Sequence, residues 1–340
     1  MRVALDAQLA IGTATGIGEY VRGLARALRD DPEIDLVKLC EPSLDPWRFD
    51  RRILWDQVLL PRRAARARAD VLHCASGTVP FASPLPVIAT VHDVAWLRVQ
   101  AHAPAYARYY FGRFSLERYR SVARIAVDSE FSRRELLRVL DDYDAARVHV
   151  VYPGVADDFC TLERRGGDAR TILIVGTVER RKNLDALVRL LPDLPGARIV
   201  SVGPPTSYRN ECAAAARRLG VTDRVEFRGY VDRRNLLDLY ASCAVVAVPS
   251  QYEGFGYAAA QALCAGVPCV VSDRGALPEV VGGDAPVVPV EDASRWAGAL
   301  GRALRGDDDA RAASARAAAI ERLSWPASAR RMRDLYAGFA

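Results

Sequence analysis

The sequence predicts an α/β fold of two domains, each built on a doubly wound parallel sheet. Short apolar runs alternate with segments of helical spacing along most of the chain, which is the pattern of strands joined by crossover helices. The chain has 340 residues and 50% of them are hydrophobic, so it is long enough to bury two cores. The alternation is interrupted at residues 161–170, where the sequence is polar and contains glycine. We interpret this stretch as the linker between the domains.

The first half contains a series of apolar runs of strand length. These predicted strands comprise residues 2–6, 35–40, 70–74, 87–91, 124–128 and 148–151. The first strand leads into a Gly/Thr loop at 10–18 and then into residues 19–29, whose apolar positions form a helical stripe. This order outlines a phosphate cradle, but Gly12, Gly16 and Gly18 do not have the G-x-G-x-x-G spacing. A dehydrogenase-type dinucleotide site is therefore poorly supported, and a flexible connection is the alternative.

The second half begins with a strand at 171–175 and continues the same alternation. Its further predicted strands comprise residues 199–203, 244–248 and 268–272, and its predicted helices comprise 184–191, 236–241 and 257–265. Three cations at 180–182 precede the first of these helices, with Asn183 as the predicted N-cap. Cations at the start of a helix oppose its dipole. A bound diphosphate would offset this effect, and a solvated charge run is the alternative.

The charge balance and the cysteines narrow the class of protein. The formal net charge of +5 is mild, so it fits anionic substrates or acidic lipid surfaces but does not argue for nucleic acid. The seven cysteines form no C-x-x-C pair and most lie in apolar segments, so we expect free thiols in a reducing compartment. The N-terminus lacks a signal-peptide core, and no stretch approaches the ~20 apolar residues of a spanning helix. We therefore expect a cytoplasmic protein.

The most informative stretch is 249–262, with the sequence PSQYEGFGYAAAQA. It joins a predicted strand to a predicted helix, and such turns line the crevice where parallel α/β sheets bind ligands. Gly254 and Gly256 allow the backbone to approach a ligand closely. Glu253 is the only charged residue of the stretch. It either accepts hydrogen bonds from ligand hydroxyls or complements the dipole of the following helix.

This stretch resembles the signature of the retaining GT-B glycosyltransferases of the large family four. The matching residues are Pro-Ser-x-x-Glu-Gly-Phe-Gly, followed by Ala-x-x-x-Gly-Val-Pro-x-Val-Val-Ser. In that family, two signature positions eight residues apart are both Glu. The first faces the sugar of the nucleotide-sugar donor, and the second binds its ribose hydroxyls. Here the first is Glu253 and the second is Gln261, so the sequence departs from the family at the ribose position.

Other segments resemble the same family in the same order along the chain. They include Thr-Gly-Ile-Gly at 15–18, Thr-Val-His-Asp at 90–93 and the Arg-Lys-Asn run that ends at Asn183. The resemblance assigns Glu253 and His92 to the reacting centre and assigns Gly16, Gly18, Gly176, Arg181, Lys182, Tyr230, Val231, Gly254, Phe255, Gly256 and Gln261 to donor binding. A histidine at the end of a strand is more often structural, and it is the resemblance that favours a site role for His92.

The resemblance implies the GT-B fold, in which two Rossmann-like domains face each other across a cleft. It implies an acceptor-binding domain at 1–165, a nucleotide-sugar-binding domain at 166–325 and a C-terminal helix at 326–340 that crosses back to the first domain. Residues 106–124 mix aromatic side chains with arginines. They form either an amphipathic helix that lies on an anionic membrane or a core-facing helix with solvated arginines, and we favour the second interpretation.

The implied reaction is the transfer of a hexose from a GDP-, UDP- or dTDP-linked donor to an acceptor hydroxyl with retention of the anomeric configuration. The acceptor is a glycan, a lipid-linked molecule or a small molecule. We expect neither a metal nor a further cofactor, and we interpret the aspartates at 307–309 as a solvated turn. Peripheral contact with the inner face of a membrane is left open. The alternatives are a GT-B epimerase of nucleotide sugars and a non-catalytic protein that binds them.

Overall fold

The computed structural model describes residues 1–11, 16–95, 106, 109–165 and 168–339. It divides into two compact units, of which one comprises residues 1–154 with 324–340 and the other comprises 155–323.

Residues 155–165 are in the second unit, although the sequence analysis assigned them to the first domain. The backbone N–H of Val155 donates to the carbonyl of Leu323 at 2.7 Å. The ring of Phe159 lies edge-on to Tyr240, with 5.0 Å between the ring centroids. These contacts attach the segment to the second unit before the polar stretch that we had interpreted as the linker.

The first unit is organised around a six-stranded parallel sheet among the described residues, in the order β2-β1-β3-β4-β5-β6. The strands are β1 (Arg2–Asp6), β2 (Asp35–Leu39), β3 (Val71–Cys74), β4 (Val87–Val91), β5 (Arg124–Val127) and β6 (Val148–Val150). The register pairs Val3 of β1 with Leu36 of β2 and with Val71 of β3. The apolar runs predicted each of these strands to within one residue at either end. The signal is clearest for β3 and β4, which are buried throughout, because a strand covered on both faces is apolar along almost its whole length.

Helices cover both faces of this sheet. Among the described residues of the first unit, the helices besides the C-terminal one are α1 (Gly16–Arg29), α2 (Phe49–Leu54), α3 (Leu60–Arg66), α4 (Ser115–Tyr119) and α5 (Glu130–Val139). A π-helical segment, Trp55–Leu59, joins α2 to α3, and a second one, Tyr109–Phe114, leads into α4. The core on one face contains Tyr20 and Leu24, and the core on the other contains Trp55.

The C-terminal helix, Trp325–Tyr336, belongs to the first unit, as the resemblance implied. The Trp325 ring lies so close to Gly23 and Gly154 that a Cβ at either glycine would come within 2.5 Å of it. At the other end of the helix, the Tyr336 hydroxyl hydrogen-bonds His73 Nδ1 at 2.7 Å. The helix is therefore part of the same core as α1.

The second unit also contains a six-stranded parallel sheet in the part of the chain that is described, in the order β12-β11-β10-β7-β8-β9. The strands are β7 (Asp168–Val175), β8 (Arg198–Val202), β9 (Val225–Gly229), β10 (Cys243–Val248), β11 (Cys269–Ser272) and β12 (Val287–Val288). β9 stops at Gly229, whose φ of 66° ends the extended conformation. The two-residue strand β12 was not predicted because it is too short to show a pattern.

Helices pack on both faces of the second sheet. They are α6 (Asp157–Cys160), α7 (Leu184–Leu190), α8 (Tyr208–Arg218), α9 (Arg233–Ser242), α10 (Tyr257–Ala265), α11 (Leu277–Val281), α12 (Ala293–Leu304) and α13 (Asp309–Arg322). The core on one face joins Leu187 and Val188 of α7 to Trp296 and Leu300 of α12. Within the described residues, none of the helices combines the length and the apolar character that a membrane span needs.

Candidate functional site

The centre of the second sheet is a topological switch point. From β7 the chain proceeds to β8 and β9 on one side, and from β10 it proceeds to β11 and β12 on the other. In open parallel sheets, ligands bind in the crevice that forms where two such neighbouring strands end. The loops after β7 and β10 lie at this crevice, and they carry the arginine–lysine segment and the Glu253 turn.

The loop after β7 is shaped by glycines. Gly176 and Gly203 have φ values of 135° and 142°, and a Cβ at Gly203 would lie 2.1 Å from the Gly176 carbonyl oxygen. The loops after β7 and β8 therefore touch through their backbones. The chain then forms a 3-10 turn, Arg180–Lys182, from which Arg181 and Lys182 reach the loop after β10.

The loop after β10 holds Glu253 in a buried position. Its backbone carbonyl accepts a hydrogen bond from the N–H of Ala276 at 2.9 Å. A Cβ at Gly275 would lie 2.3 Å from the same oxygen, so only glycine fits there. Gly256, with a φ of 96°, ends the turn at the start of α10. These contacts fix the backbone of Glu253, so its side chain starts from a defined position at the switch point.

The two loops meet in a cluster of charged side chains. Lys182 Nζ donates to Glu253 Oε1 at 2.5 Å, and Arg181 Nη1 donates to Glu253 Oε2 at 3.3 Å. Ser250 Oγ donates to Glu253 Oε1 at 2.8 Å, and Arg181 also binds Glu179 at 2.7 Å. We call Arg181, Lys182, Glu253 and Ser250 the donor cluster. The structure thus brings together Arg181, Lys182 and Glu253, the three charged residues of this half that the resemblance assigned to the site.

The donor cluster keeps Glu253 ionised. Burial acts to raise the pKa of Glu253, but the charges of Lys182 and Arg181 outweigh it, so the pKa lies below its ordinary value. Only 7% of the Glu253 side chain is exposed, whereas Arg181 and Lys182 are 20% and 19% exposed. The cations therefore border solvent, where they can also bind a ligand, and the carboxylate lies behind them.

Asn183 occupies the N-cap position of α7, as predicted, but its side chain does not cap the helix. Asn183 adopts the left-handed conformation, with a φ of 56°, and its side chain makes no capping hydrogen bond. Its Nδ2 donates instead to the carbonyl of Pro249 at 3.2 Å. Arg180 turns away from the cluster and pairs with Glu211 at 2.7 Å. Asn183 thus links the loops after β7 and β10, and two of the three cations, not all three, face Glu253.

The other residues assigned to donor binding in this unit are distributed around the cluster. Gly176 lies against Lys182, because a Cβ there would be 3.3 Å from Lys182 Cε. Gly254 and Phe255 are buried in the turn. Gln261, on α10, accepts a hydrogen bond from the buried hydroxyl of Tyr240 at 3.0 Å.

Tyr230 and Val231 follow β9, which is an edge strand of the sheet two strands away from β7. Tyr230 is 56% exposed. These two residues therefore lie outside the donor cluster, but like the cluster they follow the carboxyl end of a strand of this sheet. This position is compatible with a contact to a more distant part of a nucleotide.

His92, Gly16 and Gly18 belong to the first unit. Gly16 begins α1 and is exposed, and Gly18 is buried in the first turn. His92 follows β4, and its Nδ1 lies 2.8 Å from Asp128 Oδ2 while its Nε2 lies 3.0 Å from the carbonyl of Ala75. Burial acts to lower the pKa of His92, but Asp128 outweighs it, so the pKa is raised. Both ring nitrogens face acceptors, which favours the imidazolium form.

The first unit has its own switch point, between β1 and β3, and a buried polar cluster that the sequence analysis missed lies there. Arg52 Nε binds Asp56 Oδ2 at 2.9 Å, and Ser76 Oγ donates to Asp6 Oδ2 at 2.7 Å. The Tyr110 hydroxyl also donates to Asp56 Oδ2 at 2.9 Å. Asp56 and Tyr110 lie on the two π-helical segments, which are frequent at functional sites. The four-residue spacing of Arg52 and Asp56 was the available signal.

Two atoms of this polar cluster have no hydrogen-bond partner among the described residues, namely Arg52 Nη1 and Asp56 Oδ1. Burial raises the pKa of Asp56 to about 6, although Arg52 acts against it. The described part of the chain contains no group of three or more His, Cys, Asp or Glu side chains that could hold a metal ion. Asp308 and Asp309 lie at the start of α13.

Two family models match the chain. The model described as Glycosyltransferase Family 4 matches residues 14–159, and the model described as Glycosyl transferases group 1 matches residues 169–306. The first match covers most of the first unit and continues through residues 155–159 of the second, and the second match lies within the second unit.

The chain is similar to curated proteins named D-inositol 3-phosphate glycosyltransferase. It is 38% identical to the one from Xylanimonas cellulosilytica over 278 residues, which are 74% of this chain and 66% of that protein. It is 35% identical to the one from Mycobacterium avium over 211 residues, which are 58% of this chain and 50% of that protein. The matches thus span about half to two thirds of the length of these relatives.

Solved structures share the fold over almost the whole chain. A sucrose-phosphate synthase from Thermosynechococcus elongatus has a TM-score of 0.76 at 20% identity and 98% coverage of both chains. Anabaena Alr3699/HepE, solved in complex with UDP and glucose, has a TM-score of 0.73 at 17% identity and 99% coverage of both chains. At such identities the likeness concerns the fold, which is the two-domain GT-B fold.

Proposed function

The chain belongs to the group 1, family 4 glycosyltransferases, and from this premise we propose that it transfers a hexose from a nucleoside-diphosphate sugar to an acceptor hydroxyl. The donor cluster is the observation that carries the proposal. Two cations and one ionised carboxylate converge at the switch point of the second sheet. A nucleotide sugar offers a diphosphate for the cations and hydroxyl groups for the carboxylate.

The cluster accounts for the main chemical demand of such a transfer. When the bond between the anomeric carbon and the phosphate breaks, negative charge develops on the diphosphate and positive charge on the sugar. Arg181 and Lys182 are fixed before the reaction, so they stabilise the leaving diphosphate without reorganisation. Glu253 orients the sugar by accepting hydrogen bonds from its hydroxyls. We further propose that the anomeric configuration is retained, as in the family that the motifs resemble.

Metal independence is also part of the proposal. Arg181 and Lys182 supply two positive charges that can neutralise the diphosphate, which is the role that a divalent cation would otherwise have. Activity that is unchanged after treatment with EDTA supports this point, whereas activity that returns only with Mg²⁺ or Mn²⁺ contradicts it.

For the donor nucleotide, we propose a UDP-, GDP- or dTDP-linked sugar. The UDP complexes of Anabaena Alr3699/HepE support a uridine donor by likeness of fold. Gln261 replaces the family's second Glu, and a neutral amide forms weaker hydrogen bonds to ribose than a carboxylate does. We therefore expect that deoxyribose donors are tolerated. Gln261→Glu should shift the preference toward ribonucleotide donors, and an unchanged ratio of kcat/KM for dTDP- and UDP-linked sugars contradicts this.

For the acceptor, we propose a polyhydroxylated molecule that binds the first unit. The names of the relatives support a phosphorylated cyclitol as the first candidate, and a glycan or a lipid-linked acceptor is the wider class.

We propose a cytoplasmic enzyme with peripheral contact to an anionic membrane surface, in addition to the core-facing role that the sequence favoured for residues 106–124. Of this segment, the structure describes residues 106 and 109–124, of which Tyr110 and Tyr119 are buried in the core. Tyr106, Tyr109 and Phe111 are 56%, 60% and 39% exposed, and Phe49 packs against Tyr106 and Phe111. Exposed aromatic rings near arginines suit the headgroup region of a membrane. Co-sedimentation with phosphatidylglycerol vesicles tests this, and equal recovery with and without vesicles contradicts it.

The central experiment combines binding and turnover. Unfolding temperature is measured with UDP, GDP and dTDP, because a ligand at a hundred times its Kd adds ~2.7 kcal/mol to stability. Products from the matching nucleotide sugars and a panel of acceptors are then analysed by mass spectrometry, and the anomeric configuration by NMR. We expect one nucleotide to stabilise the protein and its sugar to be transferred with retention.

The same experiment separates the alternatives. A rearranged sugar without a transfer product indicates an epimerase, and binding without turnover indicates a non-catalytic binding protein. If none of the three nucleotides stabilises the protein, the proposal is contradicted.

A further inference from the structure

Glu253 binds the same two cations that we assign to the diphosphate. Lys182 engages one of its carboxylate oxygens at 2.5 Å, and Arg181 engages the other at 3.3 Å. Ser250 donates a further hydrogen bond to the oxygen that Lys182 binds. The Glu253 side chain is 7% exposed, so solvent and salt screen its charge only weakly. Any anion that approaches Lys182 therefore meets a neighbouring negative charge.

We propose that Glu253 makes the site discriminate between the nucleotide sugar and the free nucleoside diphosphate, by competing with the terminal phosphate for Lys182. This inference rests on the proposed function. It assigns to Glu253 a role in specificity in addition to its contact with the sugar.

The free nucleoside diphosphate carries one more ionisable charge than the nucleotide sugar, and the nucleotide sugar carries the hydroxyl groups of its sugar. A free nucleoside diphosphate ionises further at its terminal phosphate than the same diphosphate esterified to a sugar does. This additional charge falls beside Lys182, where the carboxylate of Glu253 already lies. The nucleotide sugar lacks that charge and offers hydroxyl donors to Glu253 instead. One carboxylate thus favours the substrate and opposes the product, which speeds product release.

The loops that carry these side chains leave them little room to separate. The N–H of Gln251 donates to the carbonyl of Arg181 at 2.8 Å, which joins the loops after β7 and β10 directly. The Lys182 side chain runs along Gly176, and the Glu253 backbone is fixed by Ala276. Competition for Lys182 is therefore a property of the folded site.

The test measures the affinity of the wild type and of Glu253→Gln for UDP and GDP and for the corresponding nucleotide sugars, by calorimetry. We expect Glu253→Gln to bind the nucleoside diphosphate about tenfold tighter and the nucleotide sugar about tenfold more weakly. Glu253→Ala, which removes the charge without introducing an amide, should show the same reversal. Thermal unfolding establishes that the variants are folded.

Two controls separate competition at Lys182 from a general charge effect. Glu211→Gln removes a carboxylate outside the donor cluster, where Glu211 pairs with Arg180, and should bind the nucleoside diphosphate within about twofold of the wild type. In a Lys182→Ala background, Glu253→Gln should tighten binding much less than in the wild type, because Lys182, the cation for which the carboxylate and the terminal phosphate compete, is gone and Arg181 alone remains. Tightening of the same size in that background overturns the inference.

The outcomes also distinguish the inference from the function on which it rests. If the wild type binds a nucleoside diphosphate and folded Glu253→Gln and Glu253→Ala bind it no more tightly, the inference alone is overturned. If the wild type binds neither ligand, the proposed function fails and the inference fails with it.

Discussion

Lys182 is the residue on which the proposed chemistry depends most directly. Its Nζ lies in the donor cluster, and it is one of two cations available to a leaving diphosphate. We predict that Lys182→Ala lowers kcat by about 100-fold to 1,000-fold, as the loss of one preorganised donor to a developing charge does. Arg180→Ala is the matched control, because Arg180 pairs with Glu211 outside the cluster. Equal losses in the two variants would contradict the assignment of Lys182.

We predict that Asp56 makes the free energy of unfolding depend on pH, and the raised pKa of Asp56 gives the sign of this dependence. Burial raises the pKa from 3.8 to about 6, so between these values the folded protein holds the proton more strongly than the unfolded chain does. The contribution of Asp56 to stability is therefore largest below pH 4, falls as the pH rises to about 6, and stays constant above that.

The measurement compares urea unfolding of the wild type and of Asp56→Asn between pH 4 and pH 7. The stability of the wild type relative to the variant should fall as the pH rises through this range, because the amide of the variant cannot titrate. Asp30→Asn, at an exposed position, is the control for removal of a carboxylate. Parallel pH curves for the wild type and Asp56→Asn would show that Asp56 does not titrate as described.

At the residue scale, the sequence predicted which donor-cluster residues matter but not how they are paired. The motif around Glu253 and the cations before α7 were both visible as local patterns. That Glu253 binds Lys182 could not be predicted, because it depends on the adjacency of β7 and β10, which are separated by two other strands in the sequence. The cluster around Arg52 was missed for the same reason, since Asp6, Arg52 and Ser76 come from three separate segments.

At the scale of elements, the variant Gly203→Ala tests whether the contact between the loops after β7 and β8 supports the donor cluster. A Cβ at Gly203 would lie 2.1 Å from the Gly176 carbonyl oxygen, so Gly203→Ala must displace the loop that leads to Lys182. We predict a loss of stability of about 1–3 kcal/mol and a weaker affinity for the nucleoside diphosphate.

The matched control is Gly220→Ala, which also has a positive φ but meets nothing within 4 Å. It should show only the cost of the backbone conformation, of about 1 kcal/mol, and an unchanged affinity. Identical unfolding and binding results for the two variants would show that the contact with Gly176 contributes nothing of its own.

The strands were easier to predict than the ends of some elements. A parallel strand that is buried on both faces is a continuous apolar run, so its position can be read from the sequence alone. The end of β9 and the conformation of Asn183 were not predicted, because both depend on residues in the left-handed conformation. A left-handed φ at an asparagine is decided by contacts such as the bond from Asn183 to Pro249, which the local sequence does not contain.

At the scale of the whole molecule, the two-unit architecture was predictable because each unit repeats the same alternation of strands and helices. The residue at which the first unit ends and the second begins was harder to predict. Residues 155–165 belong to the second unit through contacts with Leu323 and Tyr240, which lie far along the chain. The polar composition of 161–170 marked a region without regular apolar spacing, and composition alone does not reveal which unit such a region packs against.

The C-terminal helix provides the prediction that belongs to this scale, because it ties the end of the chain to the unit in which the chain begins. Trp325 is 8% exposed and packs against Gly23 and Gly154, so Trp325→Ala should cost the first unit about 3–5 kcal/mol. Native-state hydrogen exchange should show faster exchange at amides of 1–154 and little change at 155–323, since the lost contacts lie in the core of the first unit. Trp47→Ala, at a position that is 57% exposed, is the matched control and should leave both regions unchanged. Equal acceleration in both regions of Trp325→Ala would mean that the units unfold as one cooperative body, and the helix would then stabilise the molecule as a whole.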